Sequence, residues 1–162
     1  MIILGIDPGT RIAGYGLIKK KSGQVIHIDN GIIDCQKIET LPGKLEHIFK
    51  SVQKLISQFH PTILAIEDIF YAKNVQSTVK LAHTRGIVIL AAQMNGLEVH
   101  EISPLEVKKA VVGYGRAEKT QVQQMIKLLL KLPQIAEENA SDALAVAVCV
   151  ANSLRPILEK SN

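Results

Sequence analysis

The sequence predicts an α/β domain in which a mixed β-sheet is flanked by helices. Short apolar segments rich in β-branched residues occur together with longer segments of 3.6-residue periodicity, in the order βββαβαβααα. The chain has 162 residues, of which 47% are hydrophobic and 21% charged, so it can bury one core. We therefore expect a single domain over residues 1–155 and a short C-terminal tail over residues 156–162.

The first three elements are predicted strands. Residues 2–6 are apolar and largely β-branched, which is typical of a strand covered on both faces. Residues 14–19 and 24–35 are two further candidate strands, joined by the polar turn of residues 20–23. Because the connections are short, the three strands are expected to form an antiparallel meander.

The period then changes to that of a helix. Apolar residues spaced by three and four predict an amphipathic helix over residues 43–59, which Pro61 ends. Ser103 and Glu106 form a capping-box pattern around Pro104, which predicts the start of a short helix. The other predicted elements are strands over 62–66 and 97–102 and helices over 75–94, 117–131 and 138–153.

Composition excludes some classes of function and permits others. The net charge of +4 is compatible with a polyanionic partner but does not establish one. Aromatic residues make up only 4% of the chain and Trp is absent, which argues against a broad base-stacking platform. Cys35 and Cys149 lie far apart in apolar segments and are predicted to be reduced core thiols.

No segment resembles a targeting or membrane-spanning sequence. The N-terminus lacks a basic leader, and Asp7 interrupts its apolar stretch. The longest uninterrupted apolar run, residues 143–151, is far shorter than the ~20 residues that a membrane span needs. We expect a soluble, cytoplasmic protein that does not contact a membrane.

Acidic residues stand at the ends of two apolar strands. Asp7 follows the first strand and Glu67 follows the strand over residues 62–66. Ligands of α/β sheets commonly bind at such strand ends, and a carboxylate beside apolar residues is costly without a cation. Taken singly, a turn-forming Asp beside Pro8 and a surface Glu remain equally good interpretations.

The last predicted helix carries a third acidic group. Glu138, Asn139 and Asp142 share one face of it, and the rest of the helix is small and apolar. The helix dipole accounts for acids in the first turn, such as Glu137 and Glu138, but less well for Asp142. Converging carboxylates repel each other unless divalent cations neutralise them, and oxygen ligands favour Mg²⁺ or Mn²⁺. Two such ions can promote phosphodiester hydrolysis by activating a water and stabilising the leaving 3′-oxygen.

Four sequence blocks together resemble the RuvC family of bacterial crossover-junction endodeoxyribonucleases, which resolve Holliday junctions. The blocks are ILGIDPGTR at 3–11, AIEDIFYAKN at 65–74, VKKAVVGYGRAEK at 107–119 and ASDALAVA at 140–147. They follow the family's order and spacing over essentially the whole chain. The resemblance implies a ribonuclease H-like fold with a five-stranded mixed sheet whose second strand is antiparallel. It also implies a homodimer, because a four-way junction has near two-fold symmetry and needs two paired nicks.

The resemblance further implies the cofactor, the products and the partners. Each nick would leave a 5′-phosphate and a 3′-hydroxyl, with two Mg²⁺ per subunit that Mn²⁺ can replace. The RuvA and RuvB branch-migration complex is the expected partner, besides the four-way junction DNA itself.

The family's metal-binding acids correspond to Asp7, Glu67 and Asp142. The fourth position, usually Asp or His, is Asn139 here. Its amide oxygen can bind Mg²⁺, but it carries no charge and cannot act as a base. Glu138 lies nearer to Asp142 around the helix and is the alternative ligand; Asn139 is favoured because it holds the aligned position.

Aromatic and basic residues complete the predicted site. By resemblance, Phe70 is a wedge that stacks on unpaired junction bases, and Tyr71 assists it. Lys108 is expected to position the DNA strand, and Lys119 to stabilise charge developing at the scissile phosphate. Each remaining basic residue is also compatible with a merely solvated charge; those that would extend the phosphate track are Lys73, Lys80, Arg85, Lys109 and Arg116.

The helix over residues 75–94 is implied to form the dimer interface. It carries more apolar residues than one contact with a sheet requires. Gly86 in its middle has two open explanations, a close approach of helices or an ordinary packing constraint.

Three alternatives to a junction-cutting enzyme are open at this point. The first is an ATPase or sugar kinase of the actin-like superfamily, although such proteins need two lobes and this chain has the length of one. The second is a catalytically impaired protein that binds branched DNA without cutting it. The third is a related ribonuclease H-like nuclease with a different substrate.

Overall fold

The computed structural model describes residues 1–68 and 75–154, which form five strands and five helices. In chain order, these elements are β1 (Ile2–Asp7), β2 (Ile12–Lys21), β3 (Gln24–Asp34), α1 (Leu41–Phe59), β4 (Ile63–Glu67), α2 (Val75–Met94), β5 (Glu98–Ile102), α3 (Pro104–Val112), α4 (Lys119–Leu129) and α5 (Glu138–Ser153). The predicted order of strands and helices is confirmed.

The strands form one mixed sheet in the order β3-β2-β1-β4-β5. The first three strands are an antiparallel meander, as their short connections predict. β4 pairs parallel with β1, and β5 pairs parallel with β4. Among the described strands, β2 alone runs against the others. This is the mixed five-stranded α/β sheet that the family resemblance implied.

Helices cover both faces of the sheet, and strand alternation decides which face each acidic residue occupies. In β1, Ile3 packs toward α3, α4 and α5, whereas Leu4 and Ile6 pack toward α1 and α2. Because successive side chains of a strand point to opposite faces, Asp7 lies on the face of Ile3. The same alternation in β4 places Glu67 on that face. Both carboxylates are therefore directed toward the layer that contains α5.

Several boundaries differ from the predicted ones for local reasons. β2 extends over ten residues rather than six, because the turn to β3 needs only Ser22 and Gly23, whose φ values are 48° and 80°. The predicted helix over 117–131 begins at Lys119. The backbone of Glu118 is extended, and its N–H donates to Oε1 of Gln121 at 2.8 Å, which caps the helix.

Helix α5 is anchored at both ends. At its N-terminus the Glu137 carboxylate accepts hydrogen bonds from the backbone N–H groups of Asn139 and Ala140, at 2.8 and 3.1 Å. At its C-terminus Nζ of Lys20, from β2, donates to the carbonyl oxygens of Ala151 and Leu154 at 2.5 and 2.6 Å. These bonds hold the helix that carries Asp142 in a defined position against the sheet.

Cys35 and Cys149 are buried free thiols, as predicted, and burial raises the pKa of Cys149 to about 11. Within the described residues, no helix combines the length and the apolar character needed to cross a membrane. Helix α2 leaves large apolar side chains exposed, namely Val75, Val79, Leu90 and Met94.

Candidate active site

Asp7 and Glu67 occupy equivalent ends of neighbouring parallel strands. The register pairs Ile6 of β1 with Ile66 of β4. Asp7 and Glu67, the next residues of the two strands, therefore lie side by side. Both strands are buried up to these residues, and both acids are themselves half-buried. The predicted position of the two carboxylates, at the ends of buried strands, is confirmed.

Helix α5 brings Asp142 to the same place because two glycines let its backbone approach the sheet. A Cβ at Gly5 would lie 2.1 Å from the carbonyl oxygen of Ala143, and a Cβ at Gly14 would lie 1.9 Å from that of Asn139. Any larger residue at either position would force the helix away from β1 and β2. The glycines therefore determine how closely the acid on the helix approaches the acids on the strands.

The electrostatics of the three carboxylates show that they lie near one another. Burial, reinforced by the charges of Asp142 and Glu67, raises the pKa of Asp7 to about 7. Burial and the charge of Asp142 also raise the pKa of Glu67. The pKa of Asp142 is raised by burial, although Lys119 opposes the shift. The charged form of each acid is thus compensated only in part, which favours the binding of a further cation.

Lys119 is the cation that contacts this cluster directly. It is the first residue of α4, and its Nζ lies 2.8 Å from Oδ2 of Asp142 and 2.5 Å from Oε1 of Glu138. Partial burial acts to lower the pKa of Lys119, but the hydrogen bonds to Asp142 and Glu138 outweigh it and raise the pKa above its usual value. The same hydrogen bond lowers the pKa of Glu138. Lys119 is therefore held as an ammonium ion at the edge of the acidic cluster.

A cleft of about 260 Å³ collects four of the predicted site residues. Glu67, Asp142, Lys108 and Lys119 line it, together with apolar side chains of α3, α4 and α5. Positive and negative groups thus face the same small volume. Such a site suits a substrate phosphate, since the lysines can contact its oxygens while the carboxylates hold a metal ion.

The structure places Asn139 beside this cleft rather than in its lining. Its side-chain Nδ2 donates to Oε1 of Glu137 at 2.8 Å. Asn139 also lines a second, larger groove that starts at the β1–β2 turn. Glu138, the alternative ligand, is engaged by Lys119. The role of either residue toward a metal stays a prediction.

The side chains of the described residues do not complete a metal site on their own. Within residues 1–68 and 75–154, no three acidic, histidine or cysteine side chains are close enough to hold an ion by themselves. Mg²⁺, however, is usually bound by one or two carboxylates together with substrate phosphate oxygens and water. The half-buried carboxylates with raised pKa values fit an ion of this kind, whose coordination a bound substrate completes.

Other predicted residues occupy different positions. Lys80, Lys109 and Arg116 are exposed, as solvated or DNA-binding charges would be. Three residues of the predicted site, Phe70, Tyr71 and Lys73, lie outside the described residues.

Arg85 has a role that sequence reasoning missed. It was a candidate for the phosphate track, but its side chain is only 16% exposed and pairs with Asp68 and Glu101. Its Nε also donates to the backbone carbonyl of Glu67 at 3.2 Å. Arg85 therefore braces the end of β4 that carries the Glu67 carboxylate. No sequence signal pointed to this, because the partners are 16 to 18 residues away along the chain.

Comparisons with known proteins agree on one family. The profile described as "Crossover junction endodeoxyribonuclease RuvC" matches residues 3–150. A protein of that name from Citrifermentans bemidjiense is 56% identical over 153 residues, covering 94% of this chain and 93% of the relative.

Solved structures give the same result. The structure "T. thermophilus RuvC in complex with Holliday junction substrate" matches with a TM-score of 0.86 and 27% identity, covering 92% of both chains. The yeast mitochondrial Holliday junction resolvase Ydc2 matches with a TM-score of 0.65, covering 92% of this chain and 78% of that one. At 14% identity, the second likeness shows the fold alone.

Proposed function

Because this chain belongs to the RuvC family of crossover junction endodeoxyribonucleases, we propose that Asp7, Glu67 and Asp142 are the metal-binding acids with which it cuts DNA. The chain is a Holliday junction resolvase, an endonuclease that acts in recombination and repair. Each nick hydrolyses one phosphodiester bond and leaves a 5′-phosphate and a 3′-hydroxyl. The observation that carries the proposal is the approach of three half-buried carboxylates, from β1, β4 and α5, whose pKa values are all raised, chiefly by burial.

The family is metal-dependent, and we propose Mg²⁺ as the natural ion, two per subunit, with Mn²⁺ as a substitute. Asp7, Glu67 and Asp142 would hold the ions, with the amide oxygen of Asn139 as a neutral fourth ligand. When bound, divalent ions supply a nucleophilic water and stabilise the leaving oxygen. The carboxylates supply the negative charge that hard cations prefer, and a bound cation would offset the cost that burial imposes on this charge.

The lysines of the cleft act on the phosphate. Lys119 is fixed between Asp142 and Glu138, so its ammonium is oriented before the substrate arrives. It is positioned to neutralise charge that develops on the scissile phosphate. Lys108 lines the same cleft and positions the DNA strand relative to the carboxylates. We assign Lys119 no proton-transfer role, since its pKa is raised and its proton is held tightly.

Aromatic and basic residues are the proposed elements of junction recognition. We propose that Phe70 enters the junction centre and stacks on unpaired bases, assisted by Tyr71, and that Lys73 and Arg116 contact phosphates. A homodimer would present two cleavage sites to the two-fold symmetric junction, and the exposed apolar side chains of α2 are the surface available for it. The RuvA and RuvB complex as a partner, and the cytoplasm as the location, are further proposals from family membership.

The decisive experiment compares substrates under two metal conditions. A synthetic four-way junction, a linear duplex and an RNA–DNA hybrid are each incubated with the protein in Mg²⁺ and in EDTA. We expect paired symmetric nicks in the junction alone and only with Mg²⁺. Junction binding without nicks at any metal concentration would identify a binding-only protein, and cutting of the hybrid would identify a different nuclease of the same fold.

A further inference from the structure

We propose that a groove beside the catalytic cleft binds the sugar-phosphate backbone of DNA through Arg11, Lys44 and Lys80, away from the scissile phosphate. The groove has a volume of about 900 Å³ and lies between the β1–β2 turn, the first turns of α1 and α2, and the start of α5. This inference rests on the proposed function, because it concerns the same DNA substrate. Of the three cations, only Lys80 was singled out from the sequence.

The charge of the groove is not neutralised by the protein. Three cationic side chains line it, against one acid, Glu39. In the part of the chain that the structure describes, none of the three cations forms an ion pair; Arg11 has only a 3.5 Å hydrogen bond to the neutral Gln36. By contrast, Arg85 and Lys119 are both bound to carboxylates. A concave surface with uncompensated positive charge attracts a polyanion.

The groove lies next to the catalytic cleft. Asn139 lines the groove and Asp142 lines the cleft, and the two residues are three apart on α5, an axial rise of ~4.5 Å. Gly9, also in the groove lining, is two residues beyond Asp7. The groove is therefore near enough to the cleft to contact phosphates that neighbour the scissile one on the same strand.

The distribution of the cations favours a polymer over a small anion. Arg11 follows β1, Lys44 is in α1 and Lys80 is in α2, so three separate elements each contribute one cation to a groove of about 900 Å³. Arg11 and Lys80 are exposed and Lys44 is half-buried. A site for a free phosphate or nucleotide would need donors that enclose it, whereas a DNA backbone presents successive phosphates to separate cations.

The test measures how salt weakens junction binding. The triple variant Arg11→Gln, Lys44→Gln, Lys80→Gln is compared with a control of equal charge, Lys21→Gln, Lys54→Gln, Lys131→Gln, whose lysines are exposed and do not line the groove. Junction affinity is measured in EDTA at several salt concentrations. Each phosphate contact contributes about 0.9 to the slope of log K against log salt, so the groove variant should lose about 2 to 3 from the slope.

The single variants Arg11→Gln, Lys44→Gln and Lys80→Gln are measured together with the triple variant, so that the conclusion does not depend on one heavily altered protein. Each should lose about 1 from the slope, and the control triple less than about 1. Equal losses in the groove and control triples would overturn the proposal, because only overall charge would then matter. An unchanged slope, with inorganic phosphate or ATP binding the wild-type protein and not the groove variant, would show a small-anion site instead. Cleavage by the wild-type chain in Mg²⁺ is scored separately, so failure of the proposed function cannot be mistaken for failure of the groove.

Discussion

The carboxyl group of Asp7 is maintained in a position that opposes the folding of the metal-free protein. Its raised pKa means that the folded state binds a proton more tightly than the unfolded chain. Asp7 therefore favours folding most below pH 3.8, and this contribution is lost as the pH rises through about 7. At neutral pH the charged carboxylate is a cost that a bound divalent cation would remove.

Replacing Asp7 separates its effect on the stability of the folded protein from its effect on catalysis. We expect Asp7→Asn to abolish cleavage while junction binding survives, and Glu67→Gln to do the same. In EDTA at pH 8, Asp7→Asn should also be more stable than the wild type by about 1–3 kcal/mol, with the advantage vanishing near pH 4. Thermal unfolding at both pH values measures the difference. Loss of folding or of binding in parallel with activity would make these acids structural.

A second prediction at this scale distinguishes the ligands near Asp142. Asn139→Asp adds a charge at the proposed metal site, so it should stay active and need less Mg²⁺. Glu138→Gln leaves Lys119 paired with Asp142 alone, so Mg²⁺ must compete with a tighter ion pair and a several-fold higher concentration should be needed. Half-maximal Mg²⁺ for cleavage is the measurement.

Glu46→Gln is the matched control, since Glu46 also pairs with a lysine, Lys50, but on the surface of α1. It should leave the Mg²⁺ requirement unchanged. If Asn139→Ala cuts normally while Glu138→Ala is inactive at every Mg²⁺ concentration, Glu138 is the ligand and the assignment of Asn139 is wrong.

At the scale of elements, the approach of α5 to the sheet decides whether the acids meet. Gly14→Ala would bring a Cβ against the backbone of Asn139, with no flexible side chain to yield. We expect it to lower the free energy of unfolding by about 1–3 kcal/mol. Gly86→Ala is the comparison: nothing lies within 4 Å of its Cβ position, so it should stabilise α2 by about 1 kcal/mol.

Denaturant unfolding of both variants measures these free energies. A Gly14→Ala protein as stable as the wild type would show that α5 does not need this close approach. For Gly86, the explanation by packing within the described chain is wrong, since its Cβ position is open. A close approach to a partner helix stays a prediction.

Elements with local signals could be predicted from the sequence, and contacts between distant segments could not. The capping box of Ser103 and Glu106 marked the start of α3, and Gly113 its end at a φ of 93°. The strand-end acids were found because buried strands have a distinct composition. The bracing of β4 by Arg85 was missed, since it depends on the tertiary contact of α2 with β5, which no local pattern encodes.

At the scale of the whole molecule, the exposed apolar side chains of α2 are a candidate dimer surface. Leu90 and Met94 are 52% and 65% exposed, one helical turn apart. Leu90→Glu with Met94→Glu should raise the dimer dissociation constant by about tenfold or more, because two charges would be buried in the interface. Sedimentation analysis measures the constant. Leu128→Glu, on the 69% exposed Leu128 of α4, is the control and should leave the assembly unchanged.

The dimer and the chemistry are linked through the paired nicks. A monomeric variant should nick junctions singly, because its two sites are no longer held in symmetric positions. A variant that stays dimeric would exclude α2 as the interface, and a monomer that still makes coordinated nicks would contradict the link between the dimer and the paired nicks. The expectation of one domain over residues 1–155 stays a prediction. Limited proteolysis measures it, because a single domain should resist cleavage within this range.

The most direct test of the account locates the metal itself. Crystals of the protein with junction DNA and Mn²⁺ are measured for anomalous scattering. We predict peaks at about 2.1 Å from carboxylate oxygens of Asp7, Glu67 and Asp142, with phosphate oxygens completing the coordination. Peaks bound elsewhere, or carboxylates of β1, β4 and α5 that share no ion when DNA is bound, would contradict the central claim.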